Sequence, residues 1–203
     1  MTMSVDAVVG LVNTSSLSMT LSDSGSPIVI TIFNSGGPGT ISVTDSFSTP
    51  YTWTTITTGY ISQIVGTGGA GTSGTITFSV AYQGIIAISF IGADKTDSGL
   101  SVIDGYGNNS TNVCTVLDPT ASGEIAITGG NWQTQITGIT GSPPATIVFE
   151  ETTDFVGDVA WAGPTVSGSS TSLVWQGNGA SAGSAICIVK AGTPRLAQLV
   201  MPL

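Results

Sequence analysis

Residues Gly74 to Ala93 read GTITFSVAYQGIIAISFIGA, and the reading of this stretch decides the fold. In its first half Ile76, Phe78 and Val80 alternate with Thr75, Thr77 and Ser79, the two-residue period of a half-buried strand. In its second half Ile85, Ile86, Ala87, Ile88, Phe90 and Ile91 form a near-continuous apolar run, which predicts a strand covered on both faces. Tyr82-Gln83-Gly84 between the two reads as a hairpin connection. A strand covered on both faces needs protein above and below it, so two layers are implied.

Working outward, the same pattern repeats on both sides. Upstream, strand-like runs cover Ser4 to Val12, Leu17 to Leu21, Ile28 to Phe33, Ile41 to Asp45, Tyr51 to Ile56 and Tyr60 to Val65. Polar or breaker-rich stretches such as Asn13-Thr-Ser-Ser16 and Asn34-Ser-Gly-Gly-Pro-Gly39 separate them. Downstream they resume at Val113 to Leu117, Glu124 to Thr128, Thr146 to Glu150, Val156 to Trp161, Thr171 to Trp175 and Ala185 to Lys190, with a Gly-Gly turn ahead of Asn131. Short strands at spacings of ~8–12 residues predict an all-β, two-sheet antiparallel sandwich. A helical apolar period shows only at Leu196 to Met201, and no exact internal repeat points to a propeller or solenoid. No charge run or Pro-rich linker divides the chain, so residues 1–192 are taken as one sandwich domain and 193–203 as a C-terminal arm.

Composition excludes several function classes. Of 203 residues, 12 are Asp or Glu and 3 are Lys or Arg, giving a net charge of −9. Charged residues make up 7% of the chain, against ~25% in ordinary soluble domains. Without a basic stripe the chain is not expected to bind nucleic acid, and its acidic surface is unsuited to anionic membranes. The start, MTMSVD, lacks the basic opening of a secretory signal, and no apolar stretch reaches the ~20 residues of a membrane helix. There is no His, so neither a Ser-His-Asp triad nor an ordinary zinc site can be assembled. Cys114 and Cys187 both lie in apolar strand-like contexts, where cysteine packs as a small core residue; a bridge between them stays open.

Three groups of residues invite a chemical reading. Glu150, Glu151 and Asp154 could suggest glycosidase carboxylates, but neighbouring strand residues point to opposite faces, so Glu150 and Glu151 cannot flank one sugar. Asp94, Asp97, Asp104, Asn108 and Asn109 offer hard oxygen ligands for calcium, yet Asp and Asn serve turns without any ion, and Lys95 stands among them. No cofactor or metal is expected. Tyr106 with Asn108 and Asn109, and Asn131-Trp132-Gln133, have the chemistry of a sugar platform, an aromatic face flanked by amides. The competing reading is that Trp132, like Trp53 and Trp175, is an ordinary sheet residue.

Ile41-Ser-Val-Thr-Asp45, followed after a short polar loop by Tyr51-Thr52, resembles the "VTD…YT" opening of lectin-like jelly-roll domains. Such domains occur in phage structural proteins and bacterial surface proteins. Ile88-Ser-Phe-Ile-Gly-Ala93 is similar to the end of their buried strand, and Ser172-Leu-Val-Trp175 with Ala185-Ile-Cys-Ile-Val-Lys-Ala191 is similar to their last two strands. The resemblance implies a concanavalin-like jelly-roll sandwich and no particular ligand. The E-x-D-x-x-E pattern of concanavalin-like glycosidases is absent, so no enzyme is expected. The expected function is a virion structural protein, a phage capsid decoration (cement) subunit packed against other capsid proteins as a homo-oligomer, with a trimer among the states considered. The alternative is a carbohydrate-binding adhesin module on a tail fibre or bacterial surface, with a glycan as ligand. Leu196, Leu199, Val200, Met201 and Leu203 form an apolar set that seeks burial, expected as an assembly arm docked on a neighbouring subunit, with folding back over an edge or open end of its own sandwich as the alternative.

Overall fold

The computed structural model describes residues 3–33, 41–57, 61–96, 103–105, 111–116, 125–132, 135–142, 144–151, 156–162, 171–178 and 181–189. Their regular structure is all β, with no helix among them. The strands are β1 (Ser4–Thr20), β2 (Ile28–Phe33), β3 (Val43–Asp45), β4 (Thr52–Thr57), β5 (Ile61–Thr67), β6 (Ser73–Ile91) and β7 (Ile103–Gly105). They continue with β8 (Thr111–Val116), β9 (Ile125–Trp132), β10 (Gln135–Ser142), β11 (Ala145–Glu151), β12 (Val156–Ala162), β13 (Thr171–Asn178) and β14 (Ser181–Val189).

The deciding stretch is one strand. β6 runs for 19 residues through Tyr82-Gln83-Gly84, and the expected hairpin there is absent. Its partner β1 likewise runs for 17 residues through the polar Asn13–Ser16 stretch. The two stretches face each other beside one irregularity, which on β6 takes up Phe78 to Ala81. Register jumps from Thr14↔Tyr82 to Ser16↔Thr77, and Asn13 takes the left-handed backbone at φ 50. Thr14 Oγ1 accepts from Ser16 N at 3.2 Å and donates to Ser16 O at 3.0 Å, satisfying the backbone at the bend. A polar tract that looks like a turn is thus a bulge in a longer ladder.

Every strand pair is antiparallel, and pairing divides the strands into three sheets. The first has the order β1-β6-β2-β5-β4, with β3 pairing the early part of β6; the second is β11-β12-β9-β14-β7; the third is β10-β13-β8. Both faces of β2, β5 and the late half of β6 are buried, as the apolar run predicts. On one face Ile28, Ile30, Ile32, Ile64, Ile85 and Ala87 meet Leu17 and Met19 from the end of β1, Leu21 just beyond it, and Ile76 and Phe78 from the early half of β6, so the sheet folds over its own core. On the other face Val29, Phe33, Ile61, Val65, Ile86, Ile88 and Phe90 meet Val148, Phe149 and Val159 of the second sheet. One residue further along β12, Ala160 packs with Trp175, Ile136, Ile139 and Ile147 between the second and third sheets.

Two strands escape the sequence reading, and one boundary changes. β7 is only three residues long. In β10 a register shift between Ile136 and Gly138 puts Ile136 and Ile139 on the same packing side, which destroys the two-residue period. Gly129-Gly130, expected as a turn, lies inside β9 opposite Val159 and Asp158.

Candidate functional site

The best-defined polar constellation lies where β3 passes to β4. Asp45 ends β3 and its carboxylate gathers three donors: Phe47 N at 3.1 Å on Oδ1, Tyr51 N at 3.0 Å and Trp53 Nε1 at 2.8 Å on Oδ2. Such charge-assisted bonds are strong ones, and here they close the loop into a fixed shape. Tyr51 and Phe47 are thereby held edge to face, ring centroids 5.0 Å apart, and Trp53 stacks at a tilt 5.6 Å from Tyr51. The three rings lie on backbone without side chains. A Cβ at Gly66 would sit 2.5 Å from the Trp53 ring, one at Gly69 2.3 Å from Tyr51 and one at Gly74 2.6 Å from Phe47.

Tyr51 is 5% exposed, and its hydroxyl donates to Ser26 O at 2.9 Å. Burial, with the charges of Asp45 and then Asp23 adding to it, pushes its phenol from 10.0 up to about 12. Burial also raises Tyr82. Neither phenol is placed to ionise near neutrality, so this cluster is a brace.

The neighbouring loops are tied in the same manner. Lys95 Nζ bonds Asp23 Oδ1 at 2.9 Å and Ser24 O at 2.6 Å, and Gly68 N donates to Lys95 O at 3.0 Å. Ser24 Oγ accepts from Gly71 N at 2.8 Å, and Ser48 Oγ donates to Ala70 O at 2.9 Å. Asp94 Oδ1 accepts from Thr96 N at 2.9 Å and Thr96 Oγ1 at 2.8 Å, the bonding of a turn. Among the described residues no group of three or more metal-binding side chains occurs. Further along, Asp6 accepts from Ser22 N at 2.9 Å and from Ser89 Oγ at 3.4 Å, beside the register shift between Val5 and Val8.

Of the candidate sugar platform, Asn131 and Trp132 fall at the end of β9, between β12 and β14. Asn131 pairs with Gly157 and Gly183, and Trp132 with Val156 and Ser181. Tyr106, Asn108, Asn109 and Gln133 lie outside the described residues, as do Asp97, Asp154 and the arm residues Leu196, Leu199, Val200, Met201 and Leu203. Trp53 and Trp175 are sheet residues; Trp175 is fully buried. Glu150 stands opposite Asp158 across β11 and β12, a carboxylate pairing that sequence spacing does not reveal.

No protein-family model matches this chain, and no curated protein matches it. Among the described residues no helix is long and apolar enough to cross a membrane.

Proposed function

We propose that the protein is a non-enzymatic structural subunit of a phage-like virion, a capsid decoration protein with a jelly-roll sandwich, working in a homo-oligomer against neighbouring capsid subunits. What supports this reading most is how the described charged groups are used. Asp6, Asp23, Asp45, Asp94 and Lys95 each hold a loop or a bulge in place, the arrangement of a rigid body whose value is its shape. The resemblance of Ile41–Asp45 and Tyr51-Thr52 to lectin-like jelly rolls supplies the phage context, and Asp45 and Tyr51 are the residues bonded there. The thinly charged chain, with 7% charged residues, suits packing against neighbours.

The test is co-purification with intact particles at a copy number matching the capsomers, for the full chain and for a form lacking Pro194–Leu203. Loss of particle binding by a folded, β-rich truncated form supports the assembly arm; unchanged binding, or no particle association of the full chain, refutes it. Binding to a glycan array that is lost in Trp132→Ala would favour the adhesin reading instead.

A further inference from the structure

Among the described residues β1 pairs on one side only, with β6, and its outer edge carries no partner strand. Natural sheets blunt such edges with Lys, Pro or short length. β1 has neither residue and runs for 17 residues with Asp6 as its one charge. Among the described residues the exposed large apolar ones are Val8 at 36%, Leu11 at 41% and Val80 at 52%, and two of these three stand on this edge strand. Between its two register shifts β1 keeps an unbroken ladder from Val8↔Ile88 to Val12↔Gly84. That regular segment reads Val8-Val9-Gly10-Leu11-Val12, apolar and symmetric in character about Gly10.

We propose that a second copy of this chain docks here, the two β1 strands pairing antiparallel about a two-fold axis at Gly10. A two-fold interface must be self-complementary, each residue meeting its mirror position. About Gly10, Val8 of one copy meets Val12 of the other, Val9 meets Leu11, and glycine meets glycine on the axis without a side-chain clash. Phe149 packs on Gly10, a Cβ there lying 2.2 Å from its ring. With paired strands ~4.8 Å apart the two Phe149 rings therefore approach each other as well. The two Asp6 carboxylates are kept apart: each faces the other copy's Thr14, eight positions from its twin, or roughly 26 Å at ~3.3 Å per residue. That exceeds the ~8–10 Å screening length of ordinary salt. The inference is independent of the particle reading, since it needs only purified protein.

Analytical ultracentrifugation of the full chain should show a reversible monomer–dimer equilibrium at concentrations up to about 1 mM. Leu11→Lys and Val8→Lys, both at exposed positions, should each weaken it at least ~10-fold with an unchanged far-UV spectrum. Val80→Lys, on β6, should leave it intact. In the unaltered protein, amide exchange at Val8–Val12 should slow as concentration rises, a readout that needs no variant to fold. A monomer throughout, a trimer, dimerisation indifferent to both lysines, equal loss with Val80→Lys, or exchange independent of concentration overturns the proposal.

Discussion

The carboxylate of Asp45 stands where two backbone N–H groups and an indole N–H converge. Asp45→Ala leaves all three donors without their acceptor in a partly buried place, and each such loss costs ~1–3 kcal/mol where water cannot replace it. Water reaches part of this loop, so the expected destabilisation is about 2–4 kcal/mol by denaturant titration, with the near-ultraviolet signal of Tyr51 and Trp53 lost first. Asp45→Asn keeps one acceptor oxygen and should recover only part of the loss. Tyr51 carries a pH prediction. Its phenol holds a proton more tightly folded than unfolded, with a value near 12 against 10.0. The stability it contributes is therefore complete below pH 10, and it falls as pH rises through about 12, by about 2–3 kcal/mol. Tyr51→Phe should cost ~0.5–1.5 kcal/mol at neutral pH through the lost bond to Ser26 O. Its alkaline decline should be shallower, with only the shifted Tyr82 remaining among these two phenols. Identical alkaline slopes in the two proteins would rule out this linkage.

At the scale of elements, the contact between β1 and β11 is the most sharply testable. A Cβ at Gly10 would lie 2.2 Å from two ring carbons of Phe149, so Gly10→Ala must displace that ring from the junction of the first and second sheets. Overpacking of this kind costs ~1–3 kcal/mol. Phe149→Leu in the same chain should give back part of it, and thermal melts of the four proteins in the cycle measure the coupling, which should exceed ~0.5 kcal/mol. Additive effects would mean that the ring and the glycine do not meet. The same elements show what a sequence reveals. Period-two alternation in Leu17–Leu21 and the apolar runs at Ile28–Phe33 and Ile85–Phe90 are legible, because burial on one face or two writes itself into residue type. Continuity was not legible. Asn13–Ser16 carries turn-like residues because a bulge makes the same local demands as a turn, whereas Tyr82–Gly84 is regularly paired strand facing Thr14 to Val12. Their being opposite one another is a long-range fact. The candidate site divides likewise: Asp45 and Tyr51 stood out as a motif, but the Lys95–Asp23 ion pair spans 72 residues and leaves no local mark.

At the scale of the whole molecule, the two large cores differ in what they need. The cluster around Leu17, Ile30, Ile64, Ile76 and Ile85 draws each of its described members from β1 to β6 and the loops between them. The cluster around Val29, Phe33, Ile86 and Phe90 is completed by Val148, Phe149 and Val159 of the second sheet. The first should therefore survive without the rest of the chain, and the second should not. A fragment ending at Thr96 is expected to unfold cooperatively in denaturant, reported by Trp53, its one tryptophan. It should be less stable than the full chain, since each large side chain left uncovered forgoes ~1.5–3 kcal/mol. It should also bind a hydrophobic dye through the bared face of β2, β5 and β6, whereas the full chain, with that face covered by the second sheet, should bind less. Substituting Ile88 by Lys should suppress that dye binding in the fragment while destabilising the full chain, because in one the residue faces water and in the other the second sheet. If the fragment shows no cooperative transition, the first sheet does not close its own core, and β1 to β6 fold only against the strands that follow them.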